Sequence, residues 1–190
     1  RLETRPFPSD MRASLTVIRP GAKYWILTHG SSEMAEKVDL GLGANVRKKV
    51  ADGLAEVLAD HYLLALKTQN FHWNVTGPNF QGLHTLFGTQ YAALHLAIDE
   101  LAERIRTLGF PAPGGFAVYG KLASLKEAKG GESWQEMCAQ LAADNDALVK
   151  GCRKLGDMAD EAGDTETGDL MNGRKEEMAK AAWMLRSHVG

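Results

Sequence analysis

The sequence predicts an all-α fold, in which four long helices form a bundle and one long connection crosses from one end of the bundle to the other. The first observation behind this prediction is that apolar residues recur every three or four positions along four segments of residues 39–190, whereas strand patterns are nearly absent. The second is that Gly- and Pro-rich stretches separate these segments, and only the stretch at 109–132 is long.

Composition agrees with one folded domain. The chain has 190 residues, of which 44% are hydrophobic and 24% are charged, and this length is sufficient to bury a core. No apolar run approaches the roughly 18 residues of a membrane span. The apolar stretch 17–27 is interrupted by Arg19 and Pro20, so it lacks the core of a secretory signal peptide. A net charge of −2 offers no bulk attraction to nucleic acid.

Residues 1–33 differ from the rest of the chain. They contain three of the six prolines and no sustained periodicity, and five basic against three acidic residues give them a charge of +2, which leaves −4 for residues 34–190. We predict a flexible N-terminal tail over residues 1–38 and a folded bundle over residues 39–190. The alternative is that residues 1–33 are upstream translated sequence and that the natural protein starts at Met34.

The first two helices should cover residues 45–71 and 80–108. Gly77 and Pro78 end the first helix, and Asn79 can cap the second, which Gly109 and Pro111 end. The residues that recur at helical spacing in the first helix are Val46, Val50, Leu54, Val57, His61, Leu64 and Thr68. On the second helix, the four-residue step from Glu100 to Arg104 predicts a surface ion pair.

The connection 109–132 should contain a short helix near residues 118–128, and two further long helices follow it. The third long helix has a seam with alternating steps of four and three residues, formed by Trp134, Cys138, Leu141, Asn145, Leu148, Cys152 and Leu155. The fourth should cover residues 165–188, after Gly163. Four long helices with one long crossover are the architecture of a ferritin-like bundle.

The two cysteines, Cys138 and Cys152, both lie on this seam. Their separation of 14 residues corresponds to about 21 Å along one helix, which is too far for a disulfide. We therefore predict two buried thiols, as expected in a reducing cytoplasm.

Two histidines and two carboxylates, His72, His84, Asp99 and Glu103, are candidate ligands of a non-haem iron or related divalent-metal site. A helical wheel places His84, His95, Asp99 and Glu103 on one stripe of the second helix. A solvated helix face and a hydrogen-bonded structural His72 are the alternatives. Because Asp99 lies about 22 Å along the helix from His84, one chain cannot build the site from these residues, and a second helix or subunit is required.

Three blocks in this order, residues 71–80, His84 and residues 99–109, resemble the Dps miniferritins, the DNA-protection-during-starvation proteins. The resemblance implies a hollow shell of twelve four-helix bundles that oxidises Fe(II) with hydrogen peroxide, stores ferric mineral and protects DNA. It implies ferroxidase centres at two-fold interfaces, with His72 and His84 from one subunit and Asp99 and Glu103 from its partner. It also suggests that Trp73 is a redox-active aromatic residue, although packing at the helix end is an alternative.

One position departs from the family pattern. The family carries an acidic residue four positions after its second histidine, where this chain has Gly88. In an antiparallel pair of second helices with His84 opposite Asp99, position 88 faces position 95, so His95 of the partner subunit could enter the space. A histidine that binds no metal is the alternative, and a histidine-rich site could also take zinc, which would inhibit oxidation.

Acidic residues cluster around the turn between the last two helices. The resemblance implies three-fold pores here that admit iron, with Asp169 and Asp164 as candidate lining residues, whereas a solvated loop is the alternative. The tail has a charge of only +2, so we expect weak or no DNA binding. The alternative function is a nucleoid-associated DNA-binding shell in which Gly88 weakens the ferroxidase site.

Overall fold

The computed structural model describes residues 38–190 and confirms the all-α ferritin-like fold. The predicted tail, residues 1–38, lies outside the described residues except for Val38. The helices are α1 (Ala44–Asn74), α2 (Phe80–Thr107), α3 (Phe116–Leu122), α4 (Trp134–Glu161) and α5 (Thr165–Val189). No strand occurs within residues 38–190. None of the described helices is both long enough and apolar enough to span a membrane.

Two helical hairpins form the bundle. Helix α1 packs against α2, α4 packs against α5, and α1 contacts α4 to join the hairpins. The seam predicted for α4 is buried: Cys138, Leu141 and Cys152 have no exposed surface, and Asn145 is 2% exposed. Burial raises the pKa of the Cys152 thiol to about 12, so this cysteine stays protonated and packs as a small apolar side chain.

The residues that precede the helices differ in whether they cap them with hydrogen bonds. Ser133 caps α4 in a reciprocal arrangement, because its side chain accepts from the backbone N–H of Glu136 while the Glu136 carboxylate accepts from the backbone N–H of Ser133. Asn79 occupies the position before α2, but its side chain makes no capping hydrogen bond there. The crossover helix α3 starts and ends earlier than predicted, at residues 116–122 instead of 118–128.

A buried ion pair replaces the predicted surface pair on α2. Arg104 donates to Asp164 at 2.5 Å and to Thr167 Oγ1 at 2.9 Å, whereas Glu100 lies 3.5 Å from Arg174. The prediction of a Glu100–Arg104 pair was therefore wrong. Arg104 turns toward the α4–α5 turn because Asp164 is fully buried there and needs a cation.

One carboxylate anchors the crossover to α1. Asp60 accepts the backbone N–H of Ser124 at 2.7 Å, the Ser124 hydroxyl at 2.8 Å and the backbone N–H of Leu125 at 3.0 Å. These bonds fix the end of α3 beside α1. Tyr119 of α3 also stacks on Tyr62 of α1, with ring centroids 4.4 Å apart. The long connection is thus held against the first hairpin.

Candidate metal centre

His72 and His84 meet at the turn between α1 and α2. His72 lies in the last turn of α1 and His84 in the second turn of α2, and Gly77, at φ +104°, reverses the chain between them. The two imidazole rings stack with centroids 3.7 Å apart and planes 19° apart. Both side chains are half-buried. The structure therefore brings together the two histidines that the sequence singled out.

Each imidazole is held by the backbone of the other histidine. Nδ1 of His72 donates to the carbonyl oxygen of His84 at 2.7 Å, and Nδ1 of His84 donates to the carbonyl oxygen of His72 at 2.8 Å. A carbonyl oxygen only accepts, so both rings carry a proton on Nδ1, and in the neutral imidazole the lone pair is therefore on Nε2. This is the tautomer that a metal ion needs, and a fixed Nδ1–H is the usual support for a ligating histidine.

The position of His72 at the end of α1 explains one of these two hydrogen bonds, the one from His84 to the His72 carbonyl. The last carbonyl groups of a helix have no partner within it, and His72 lies two residues before the end of α1. The backbone N–H of Val75 donates a hydrogen bond to the carbonyl oxygen of Phe71 at 2.8 Å. Nδ1 of His84 donates a hydrogen bond to the next free carbonyl oxygen, that of His72. One hydrogen bond therefore closes α1 and also orients a candidate ligand.

Other aromatic rings continue the stack. Phe80 lies over His84 with centroids 5.2 Å apart, and Tyr91 meets His72 edge-on at 5.3 Å. Gly88 lies against His72: a methyl group added there would be 3.2 Å from Cε1 and 3.3 Å from Nδ1 of that ring. A side chain at position 88 would therefore press on the imidazole, because such a separation is closer than ordinary van der Waals contact.

The remaining predicted ligands point to solvent along α2. Asp99, Glu103 and His95 are exposed. The His95 ring lies 6.2 Å from that of Tyr91. In the described part of the chain, no three His, Cys, Asp or Glu side chains are close enough to hold a metal ion. A single subunit therefore supplies a pair of imidazoles on one side and exposed carboxylates about 22 Å away, as the sequence analysis expected.

Comparison with known proteins decides the family. Residues 51–190 match the model of the ferritin-like domain. The chain is 38% identical over 145 residues to the DNA protection during starvation protein of Brevibacillus brevis, which covers 76% of this chain and 97% of that protein. The chain belongs to the Dps-type miniferritins. Over 155 residues, this miniferritin is also 40% identical to an uncharacterized low temperature-induced protein of Nostoc sp., covering 80% of the chain and 87% of that protein.

Solved structures agree with this assignment. The miniferritin superimposes on a Dps protein from Bacillus brevis with a TM-score of 0.75 at 37% identity, covering 77% of this chain and 98% of the other. It superimposes on a Dps protein from Vibrio cholerae with a TM-score of 0.77 at 32% identity, covering 82% and 99%. The Vibrio protein is described as a member of the ferritin-like diiron-carboxylate proteins.

The structure places one of the two candidate pore residues in the protein interior. Asp164 is fully buried, where it accepts the backbone N–H and the hydroxyl of Thr167 at 3.1 and 2.8 Å and pairs with Arg104. Its carboxylate therefore caps α5 and is not free to line an opening. Asp169 is exposed one turn further along α5 and stays a candidate.

Sequence analysis missed Tyr91, and it left the role of Trp73 open. Trp73 is 62% exposed beside His72, so packing within its own subunit does not account for it. Tyr91 lies seven residues after His84, on the same side of α2 as the candidate ligands. That spacing was the available signal, but an isolated tyrosine at helical spacing more often indicates core packing.

Proposed function

We propose that this miniferritin oxidises Fe(II), with hydrogen peroxide as the preferred oxidant, at centres shared between two subunits, and stores the ferric product in its cavity. Fe(II) and peroxide are the substrates. The observation that carries the proposal is the reciprocal pairing of His72 and His84, which leaves two Nε2 lone pairs available. Removal of Fe(II) and peroxide together would protect DNA, because their one-electron reaction produces hydroxyl radical.

The chemistry of the ligands fits this substrate. Imidazole is a borderline ligand and carboxylate a hard one, so the pair holds both Fe(II) and Fe(III). We propose that Asp99 and Glu103 of the partner subunit complete the site opposite His72 and His84. Trp73, adjacent to His72, is proposed to accept a stray oxidising equivalent.

Exposed apolar side chains support a two-subunit centre. Trp73, Phe80 and Leu96 are 62%, 44% and 72% exposed, and all three are on the last turn of α1 or on α2. Burial of such side chains contributes roughly 1.5–3 kcal/mol each, so a second copy covering them would be stabilised. Twelve subunits of 20.7 kDa would form a shell of about 248 kDa, which light scattering at physiological salt would detect.

Gly88 and His95 are proposed to make this centre unusual. In the antiparallel pairing of two α2 helices, the partner's His95 would lie opposite Gly88 and close to the His72 ring, which packs against Gly88. His95 is exposed and therefore available for such a contact. The resulting site would contain more imidazole ligands than the family pattern has, and Zn²⁺ would compete with Fe(II) for it.

Iron would reach the cavity through openings lined by Asp169. A ring of carboxylates raises the local concentration of cations at a pore mouth. We propose a cytoplasmic location, in agreement with two buried cysteines that form no disulfide within the described residues.

The second candidate function is a nucleoid-associated shell that binds DNA and has a weakened oxidation site. The observation that favours it is Gly88, which removes one carboxylate. Lysines on α1 give it little support, because Lys48 already pairs with Asp52 at 2.5 Å.

The test is stopped-flow oxidation of Fe(II) by peroxide in His72→Ala and His84→Ala variants. Loss of an imidazole also removes the donor to one carbonyl and the stacking partner of the other ring, so we expect initial rates to fall by at least about 10–100-fold, with the shell intact by light scattering. His188→Ala, a half-buried histidine on α5, is the matched control. Unchanged rates in both site variants would exclude the assignment.

A further inference from the structure

Five rings form a continuous aromatic row along the α1–α2 hairpin. In order, they are Phe80, His84, His72, Tyr91 and His95, with successive centroids 5.2, 3.7, 5.3 and 6.2 Å apart. Four of the five are on α2, and His72 inserts from α1. The row begins at the candidate metal centre and extends beyond it along α2.

Tyr91 is the member of this row that can be oxidised most readily, because it is a phenol. It is half-buried. Edge contacts join its ring to His72 on one side and to His95 on the other. These ring contacts place Tyr91 between the candidate metal centre and His95.

The antiparallel pairing of two α2 helices would place Tyr91 next to the two-fold axis, midway between the two metal centres. If His84 of one helix lies opposite Asp99 of the other, facing positions sum to 183, and the two-fold axis passes between positions 91 and 92. In that arrangement His72 belongs to one metal centre, and His95 of the same chain belongs to the other. Tyr91 divides the separation of about 22 Å into two steps of about 11 Å along the helix.

We propose that Tyr91 relays one electron between the two iron centres of an interface, so that one peroxide oxidises one Fe(II) at each centre. This inference rests on the proposed function. Peroxide takes one electron from the Fe(II) beside it and one from the Tyr91 phenol, whose proton is released. The O–O bond breaks and, with two protons from solvent, two water molecules form. The Fe(II) of the second centre then reduces the phenoxyl, which takes up one proton.

The sum of these steps balances. One peroxide, two Fe(II) and two protons give two Fe(III) and two water molecules. The relay has a chemical consequence, because it supplies the second electron before a hydroxyl radical can leave the first centre. Without it, a centre that holds a single Fe(II) can deliver only one electron.

The experiment compares the full-length protein with Tyr91→Phe, which keeps the ring contacts and removes the oxidisable phenol. Tyr62→Phe is the matched control, since Tyr62 is a half-buried tyrosine that stacks on Tyr119, apart from the candidate ligands. Shells loaded with one Fe(II) per centre are mixed with peroxide and frozen within milliseconds for electron paramagnetic resonance. Ring-deuterated tyrosine distinguishes a tyrosyl radical from one on Trp73. A spin trap reports hydroxyl radical.

The unsubstituted protein and Tyr62→Phe should show a transient tyrosyl signal and consume two Fe(II) per peroxide. Tyr91→Phe should lose the signal, fall toward one Fe(II) per peroxide and yield the spin-trap adduct, with its shell intact by light scattering. The proposal is overturned if the radical is absent from the unsubstituted protein, resides on Trp73, or persists in Tyr91→Phe with unchanged stoichiometry. In each of these cases, loss of oxidation in His72→Ala would still support the proposed function.

Discussion

Replacement of His61 should make the protein more resistant to acid. His61 lies on α1 with no exposed surface. Its Nδ1 donates to the carbonyl of Val57 at 2.8 Å, and within residues 38–190 its Nε2 has no partner. Burial, with a smaller contribution from the nearby Arg174 cation and against the opposing effect of the Val57 carbonyl, lowers the pKa of the imidazole from 6.5 to about 4. The folded protein therefore keeps this side chain neutral at pH values where the unfolded chain protonates it.

The direction of the effect follows from the two pKa values of His61. Above pH 6.5 the side chain is neutral in both states, so it makes no pH-dependent contribution. As the pH falls below 6.5, the unfolded chain binds a proton that the folded protein does not, and the free energy of unfolding decreases. The loss is about 1 kcal/mol at pH 5.5 and about 2–3 kcal/mol at pH 4.5, and it levels off at about 3 kcal/mol below pH 4.

Urea unfolding at pH 7.0, 5.5 and 4.5 measures this loss. His61→Leu removes the titrating group and fills a similar volume, so its free energy of unfolding should fall less with acid than that of the unsubstituted protein, by about 2–3 kcal/mol between pH 7.0 and 4.5. His188→Leu on the half-buried C-terminal turn of α5 controls for the loss of a histidine. Parallel pH profiles for His61→Leu and the unsubstituted protein would show that the reasoning is wrong.

Three further predictions concern the site, the fold and DNA. Gly88→Ala should slow Fe(II) oxidation in stopped-flow assays by up to about tenfold, because its methyl group displaces His72 by a few tenths of an ångström. Gly88→Glu has the same Cβ but adds a carboxylate, and this variant should oxidise Fe(II) faster than the unsubstituted protein. If Gly88→Glu gives no gain in rate and His95→Ala loses activity, the result would instead favour His95 as a ligand that compensates for the missing carboxylate. Asp164→Ala should lower the free energy of unfolding by about 3–5 kcal/mol in urea titrations, since it leaves Arg104 unpaired, and Asp164→Asn by less. Gel shifts at about 150 mM salt should show little DNA binding, and tight, salt-resistant binding by a chain starting at Met34 would contradict this.

Periodicity predicted the helices well because a long buried stripe leaves a repeated signal. On α4, the steps of four and three residues identified the buried face from Cys138 to Leu155, and the helix ends were found within a few residues. The crossover was less predictable. Helix α3 has only seven residues and none of them is buried, so its position depends on contacts such as those of Asp60 and not on its own pattern.

The partners of polar side chains could not be predicted from spacing. Glu100 is four residues before Arg104, yet Arg104 turns to Asp164, which lies 60 residues away in the sequence. Within the candidate site, sequence identified His72 and His84 but not the reciprocal bonds between their rings and carbonyls. Such bonds depend on how two helices are positioned, which side-chain patterns do not record.

The reciprocal bonding of His72 and His84 limits how this site can be transplanted. Each imidazole is oriented by a main-chain carbonyl of the opposite helix, so the two side chains alone do not define the geometry. A protein designer who copied only the histidines onto another bundle would obtain rings that are free to rotate and whose proton is not fixed on Nδ1. The transferable unit is the whole helix–turn–helix from Phe71 to Gly88, since it contains the turn, both carbonyls and the glycine against which His72 packs.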